Sequence, residues 1–220
     1  MKGPMNLHKS VIGAFVFLST LSAFGQGLVI LANHIAGSVI ARIYGPEVGD
    51  PTISKTGNTS AGTPAGTQVY TGSPLSGSGW IAQLFGADGL NQPESALLAA
   101  NPITTFRTGL AAGYMQSVTA TLTGVALDAP AATVQMRVWD DSSGLFPDWN
   151  SAKSAWQGGH IAAGESSVMN SYNIGGFQNV PPYLFDLRSF NVYFVAIPEP
   201  STFSLLALGA CTLRIVRRRS

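Results

Sequence analysis

The chain has 220 residues, the length of one ordinary domain with appendages. Only 10% of residues are charged, against a usual ~25%, while 45% are apolar, so the composition is not that of a disordered chain. The net charge of +1 hides a segregation: residues 26–197 carry six basic and ten acidic side chains, without the Lys/Arg cluster that a phosphate-binding face needs, which argues against a nucleic-acid partner.

The N-terminus has Lys2 and Lys9, then the apolar run Val11 to Phe17, then small residues with Ala23 and Gly25 ahead of Gln26. Basic start, apolar middle and small-residue end, in that order, predict a signal peptide over residues 1–25, a short helix removed after Gly25. An exported domain is expected over residues 26–196. His34 falls near its start, in a strand or turn.

Strands are predicted wherever apolar residues recur every second position. Val118, Ala120 and Leu122 alternate with Thr119, Thr121 and Thr123. Val134, Met136 and Val138 alternate with Thr133, Gln135 and Arg137. Phe190, Val192, Phe194 and Ala196 alternate with Asn191, Tyr193 and Val195. Val39 to Tyr44, Thr67 to Thr71 and Trp80 to Phe85 also read as strands. Gly57 to Gly79 is rich in Gly, Ser, Thr and Pro, and reads as a surface loop or a weak edge. One short helix is expected at Ser151 to Trp156, capped by Asn150 or Asp148, and another at Glu94 to Ala100 after Pro93. No βαβ rhythm occurs. The expected fold is all-β, an antiparallel β-sandwich of jelly-roll type with one or two short helices.

The densest polar patch runs from Trp139 through Asp140, Asp141, Ser142, Ser143 and Gly144 to Asp148, Trp149 and Asn150. Three carboxylates this close can hold calcium, but their order does not match an EF-hand loop. A strand end, an acidic turn and a helix cap at Asp148 account for them better, so no metal and no cofactor are expected. Trp139, Trp149 and Trp156 suit two roles: a flat platform for sugar rings, or packing anchors. The first role would make the domain a carbohydrate-binding module for exopolysaccharide. A glycan-cleaving enzyme would need two acids facing across a cleft, for which Asp140 and Glu165 are candidates. His34 and His160 lie far apart and in no ligand spacing. No nucleophile elbow and no phosphate-binding loop occurs. Catalytic residues are therefore not expected.

The C-terminus reads Pro198-Glu199-Pro200-Ser201-Thr202, then an almost wholly apolar run from Phe203 to Leu213, then Arg214, Arg217, Arg218 and Arg219. The prolines block helix continuation from upstream. Ser201 or Thr202 can cap a new helix. Phe203, Leu205, Leu206, Leu208 and Leu213 form its membrane-facing run, and the arginines set its orientation with their end cytoplasmic. At about 15 residues this single apolar helix is short of the ~20 that span a bilayer. The one cysteine, Cys211, lies inside it, so the domain itself has no disulfide and no cysteine-based metal site.

This tail, residues 197–220, resembles the PEP-CTERM sorting signal. It departs from that pattern at Arg214 and Thr212, which interrupt the apolar run. The resemblance implies recognition and cleavage near Glu199 and Pro200 by an exosortase, an integral-membrane transpeptidase-like cysteine protease. It also implies a Gram-negative source that makes exopolysaccharide. The precursor would be held transiently at the inner membrane, and the mature protein would reach the cell surface or extracellular matrix. Three body segments, Gly79 to Phe85, Thr105 to Gly109 and Val134 to Asp140, loosely resemble other exported proteins with the same tail. That likeness implies a shared exported β-domain and no chemistry.

Overall fold

The computed structural model describes residues 26–197. The signal segment 1–25 and the tail from Pro198 onward lie outside the described residues, and with them the two expected terminal helices. The described chain is mostly β, with one α-helix. Its strands in order are β1 (Gln26–Leu31), β2 (His34–Ile35), β3 (Val39–Ile40), β4 (Ile43–Tyr44), β5 (Trp80–Asp88), β6 (Leu98–Ala99) and β7 (Thr104–Thr105). Then follow β8 (Val118–Ala126), β9 (Ala131–Asp140), the helix α1 (Trp149–Gln157), β10 (Ala163–Glu165), β11 (Met169–Tyr172) and β12 (Phe190–Asn191).

The centre is the antiparallel pair β5–β9, in register from Trp80 opposite Asp140 to Asp88 opposite Ala132. β10 and β11 pair with the far edge of β9, and β6 and β7 with the far edge of β5, making a six-stranded sheet. A second antiparallel pair joins β1 to β8. Its register shifts between Gln26 and Leu28, where β8 carries extra residues and Gly124 takes φ 77°. The bulge moves burial from the even positions Ala120 and Leu122 to Val125. The short pair β12–β4 is parallel, so the architecture is not purely antiparallel.

One face of β5–β9 supplies Ala82, Leu84, Val134, Met136 and Val138 to a buried cluster. β1 and β8 supply Val29, Leu31, Ala120 and Leu122 to the same cluster. A Cβ added to Gly86 would lie 3.0 Å from Leu122 Cδ2, so the two pairs approach closely there. Where the chain leaves β1, the fully buried Asn33 bridges two segments. Its Nδ2 donates to the carbonyls of Ala41 and Gly113, and its Oδ1 accepts from the Met115 N–H. A buried amide so satisfied ties the loop before β8 to the start of the domain.

The expected strands at 80–85, 118–123 and 134–138 occur, each extended beyond the predicted bounds. Val39 to Tyr44 is two strands, not one, and only Phe190–Asn191 of the last run pairs as a strand. Thr67 to Thr71 is not a strand. There Thr71 serves instead as a hydrogen-bond donor to buried Glu47, which also pairs with Lys55. The expected helix at Glu94 to Ala100 is one 3-10 turn, Glu94–Ala96, and the chain then pairs as β6 with β5. Sheet pairing satisfies those backbone groups in place of a helix. Gly57 to Gly79 is irregular but tied down: Asn58 is buried, donates to the Pro64 carbonyl at 2.8 Å and accepts from the Ser189 N–H at 2.8 Å.

Candidate functional site

The second face of β5–β9 is the informative one. Alternation places Ile81, Gln83 and Phe85 beside Thr133, Gln135, Arg137 and Trp139. A one-sided sheet would turn this face to water. Here β9 is buried from Ala131 to Trp139 on both faces. The cover is α1, whose Trp149, Ala152 and Trp156 pack onto Trp139, Ile81 and Phe85.

α1 starts at Trp149, two residues before the expected Ser151, and of the two expected caps Asp148 serves while Asn150 lies inside the helix. The Asp148 carboxylate accepts from the Ser151 N–H at 2.9 Å. Hydrogen bonds hold the Asp148 carboxyl below its ordinary pKa, chiefly the one from the Ser151 N–H, against the opposing effect of desolvation. The acidic turn before it is tied in the same way. Asp140 accepts from the Ser142 N–H, and Asp141 from the Phe146 N–H at 2.7 Å. Each carboxylate of the expected patch therefore has a backbone partner.

The three tryptophans do come together, in the interior. Trp139, Trp149 and Trp156 are 0%, 3% and 7% exposed, so no ring offers the open face that a sugar platform needs. Their centroids are 5.7 and 5.8 Å apart along the series. Trp139 donates to the Phe146 carbonyl and Trp156 to the Tyr193 carbonyl, both at 2.8 Å. The Trp149 Nε1 is buried without an acceptor.

Arg137 is buried in this layer. Its guanidinium carbon lies 4.1 Å from the Phe85 ring centroid and 5.3 Å from that of Trp149. Its Nε donates to Gln135 Oε1 at 2.9 Å and lies 3.4 Å from Glu165 Oε1. One terminal nitrogen lies 3.4 Å from Glu94 Oε1. Two carboxylates thus converge on one buried cation. Burial pushes the Glu165 carboxyl up, Glu94 adds repulsion, and Arg137 only partly offsets both. Burial likewise draws the Arg137 guanidinium down, against the pull of Glu165 and Glu94. A shallow cleft of about 290 Å³ opens over the cluster, lined by Glu94, Gln135, Glu165, Ser166 and Tyr193 among others.

Asp140 and Glu165, the sequence-level candidates for a facing acid pair, are not brought together. Glu165 sits opposite Arg137 in the β10–β9 register, whereas Asp140 lies at the strand end and turns to Ser142. The partner of Glu165 is Glu94, some seventy residues upstream in sequence. Nothing near Glu94 marks it. The signal that was available was Arg137 in the same alternating face as Trp139: a tryptophan there implies a cover, and a cover implies a compensated arginine. His34 rests on Tyr114 with ring centroids 4.4 Å apart, and His160 is exposed beyond α1. Among the described residues no group of His, Cys, Asp and Glu is arranged to hold a metal, and no helix is long and apolar enough to cross a membrane. The sorting residues Pro198 to Thr202, the apolar run and the arginines lie outside the described residues. No family model, no curated protein and no solved structure matches the chain.

Proposed function

We propose that the chain is a non-enzymatic, exported cell-surface or matrix protein whose C-terminal Pro-Glu-Pro segment is a sorting signal cut by an exosortase. The supporting observation is where regular backbone pairing ends among the described residues. The last backbone hydrogen bond of the described residues runs from the Phe194 N–H to the Pro51 carbonyl. Pro198 follows four residues later. In sequence the motif thus follows closely on the last paired residue of the described domain, as a signal cut from a finished domain would.

The non-enzymatic reading is supported by how the acidic side chains are used. Glu47 pairs with Lys55, Asp128 accepts three backbone N–H groups, and Asp148 caps a helix. Glu94 and Glu165 both serve a buried arginine. These are structural tasks. We read the architecture as a β-sandwich of jelly-roll type, because β5–β9 and β1–β8 direct side chains into one common core.

The test is to replace Pro198, Glu199 and Pro200 together by alanine in the producing bacterium. The triple variant is expected to accumulate in the membrane fraction with its tail attached. Release into the medium at the wild-type level would overturn the reading.

A further inference from the structure

A second cleft, of about 170 Å³, lies away from the Arg137 cluster. It is lined by Arg42, Tyr44, Thr59, Tyr114 and Ser189 among others. Arg42 follows β3 and Tyr44 ends β4, so the two share one side of an extended run. Segment 57–62 closes the cleft from the other side, pinned by Tyr70. The Tyr70 hydroxyl lies 2.8 Å from the Gly57 carbonyl and 2.9 Å from that of Ser189. The Tyr70 ring stacks on Tyr44 at 4.2 Å and 7°. Tyr44 therefore lines the cleft as a braced, fixed ring.

Arg42 is the unusual member. Its guanidinium carbon sits 4.7 Å from the Tyr114 ring centroid, and one terminal nitrogen donates to the Leu110 carbonyl at 3.1 Å. Its Nε is buried and has no acceptor. No carboxylate pairs with it among the described residues, which is also so for Arg107 and Lys153; Arg42 differs from these in its orphaned Nε and its place in a cleft lining. A half-buried cation without a counter-charge leaves favourable electrostatic energy unused. An anion in the cleft would supply it, with the guanidinium suited to a planar carboxylate.

We infer that this cleft binds a sugar unit bearing a carboxylate, with Arg42 as its charge partner. The volume is smaller than the roughly 300–1,000 Å³ of sites for drug-sized ligands, and admits one ring rather than an extended compound. Tyr44 is the ring of the lining set to meet the sugar's apolar side, since the Tyr114 ring already carries His34 and the Arg42 guanidinium, and Thr59 and Ser189 bring hydroxyl-bearing side chains to the lining. The inference rests on the cleft and is independent of the sorting signal.

The experiment is calorimetric titration of the full chain with sodium glucuronate, glucose and sodium acetate, on wild type and on Arg42→Met, which keeps the apolar stem. Glucuronate is expected to bind at least tenfold more tightly than either control, and Arg42→Met to lose at least tenfold. Equal binding of glucose would remove the charge partner from the account. Equal binding of acetate would remove the sugar. No glucuronate binding to wild type would overturn the proposal outright. Should Arg42→Met fail to fold, the ring resonances of Tyr44 and the backbone amides of Thr59 and Ser189 in the wild type decide: shifts confined to these on adding glucuronate support the site, and unmoved resonances at saturation refute it.

Discussion

At the residue scale, Arg137 shows how a polar side chain can be the keystone of a hydrophobic layer. It lies beneath two aromatic rings, and its charge is met by Gln135, Glu94 and Glu165. Arg137→Ala would leave Glu165 without its cation and open space beneath Phe85. Removing one partner of a buried pair costs on the order of 3 kcal/mol, and urea unfolding should show a loss of about that size. Arg137→Met, which keeps most of the volume, should lose less. Glu165 makes the opposite prediction. Burial and Glu94 raise its folded pKa above the ordinary 4.5. The folded state then holds the proton more tightly than the unfolded one, so the group's contribution to stability declines as pH rises through that interval. Glu165→Gln lacks this decline. In a series of melting curves against pH, the variant should gain on wild type between pH 4.5 and the raised value, and keep a constant margin above it. A parallel pair of pH profiles would show that Glu165 is not shifted.

At the element scale, α1 converts a half-buried sheet into a doubly covered one. Its first turn depends on Asp148, so Asp148→Ala should cost about 1 kcal/mol, read as a lower midpoint in denaturant. Its inner face depends on Trp149, which touches Trp139, Trp156 and Phe85. Trp149→Ala should cost about 3–5 kcal/mol. On an exposed sugar platform the same substitution would leave the melting temperature unchanged, so the two roles separate cleanly. The helix was legible at Ser151 to Trp156 and its cap as one of Asn150 or Asp148, but its start at Trp149 was not. The long strands were legible from alternation. Which face of β9 met solvent was not, because period two names two faces without saying what covers each. The turn at Glu94 was also misread: Pro93 followed by Glu, Ser and Ala is a good helix start, and only the non-local pairing of β6 with β5 overrode it. The Glu94–Arg137–Glu165 contact is of the same non-local kind, joining a turn, a central strand and an edge strand far apart in sequence.

At the scale of the whole molecule, the described domain begins in a paired strand at Gln26 and makes its last backbone hydrogen bond at Phe194. Both expected processing points flank that body closely, Gly25 on one side and Pro198 to Pro200 on the other. The described domain holds no cysteine, and among the described residues its two core clusters run from Val29 to Val195, inside both points. The account therefore predicts a mature protein that is the packed domain and little else. The most direct measurement is the intact mass of the protein recovered from the membrane and extracellular fractions of the producing bacterium. The predicted result is an extracellular form lacking about the first 25 residues and everything beyond the Pro-Glu-Pro segment, beside a membrane form that still carries the tail. An extracellular form with its C-terminus intact through Ser220 would contradict the sorting account.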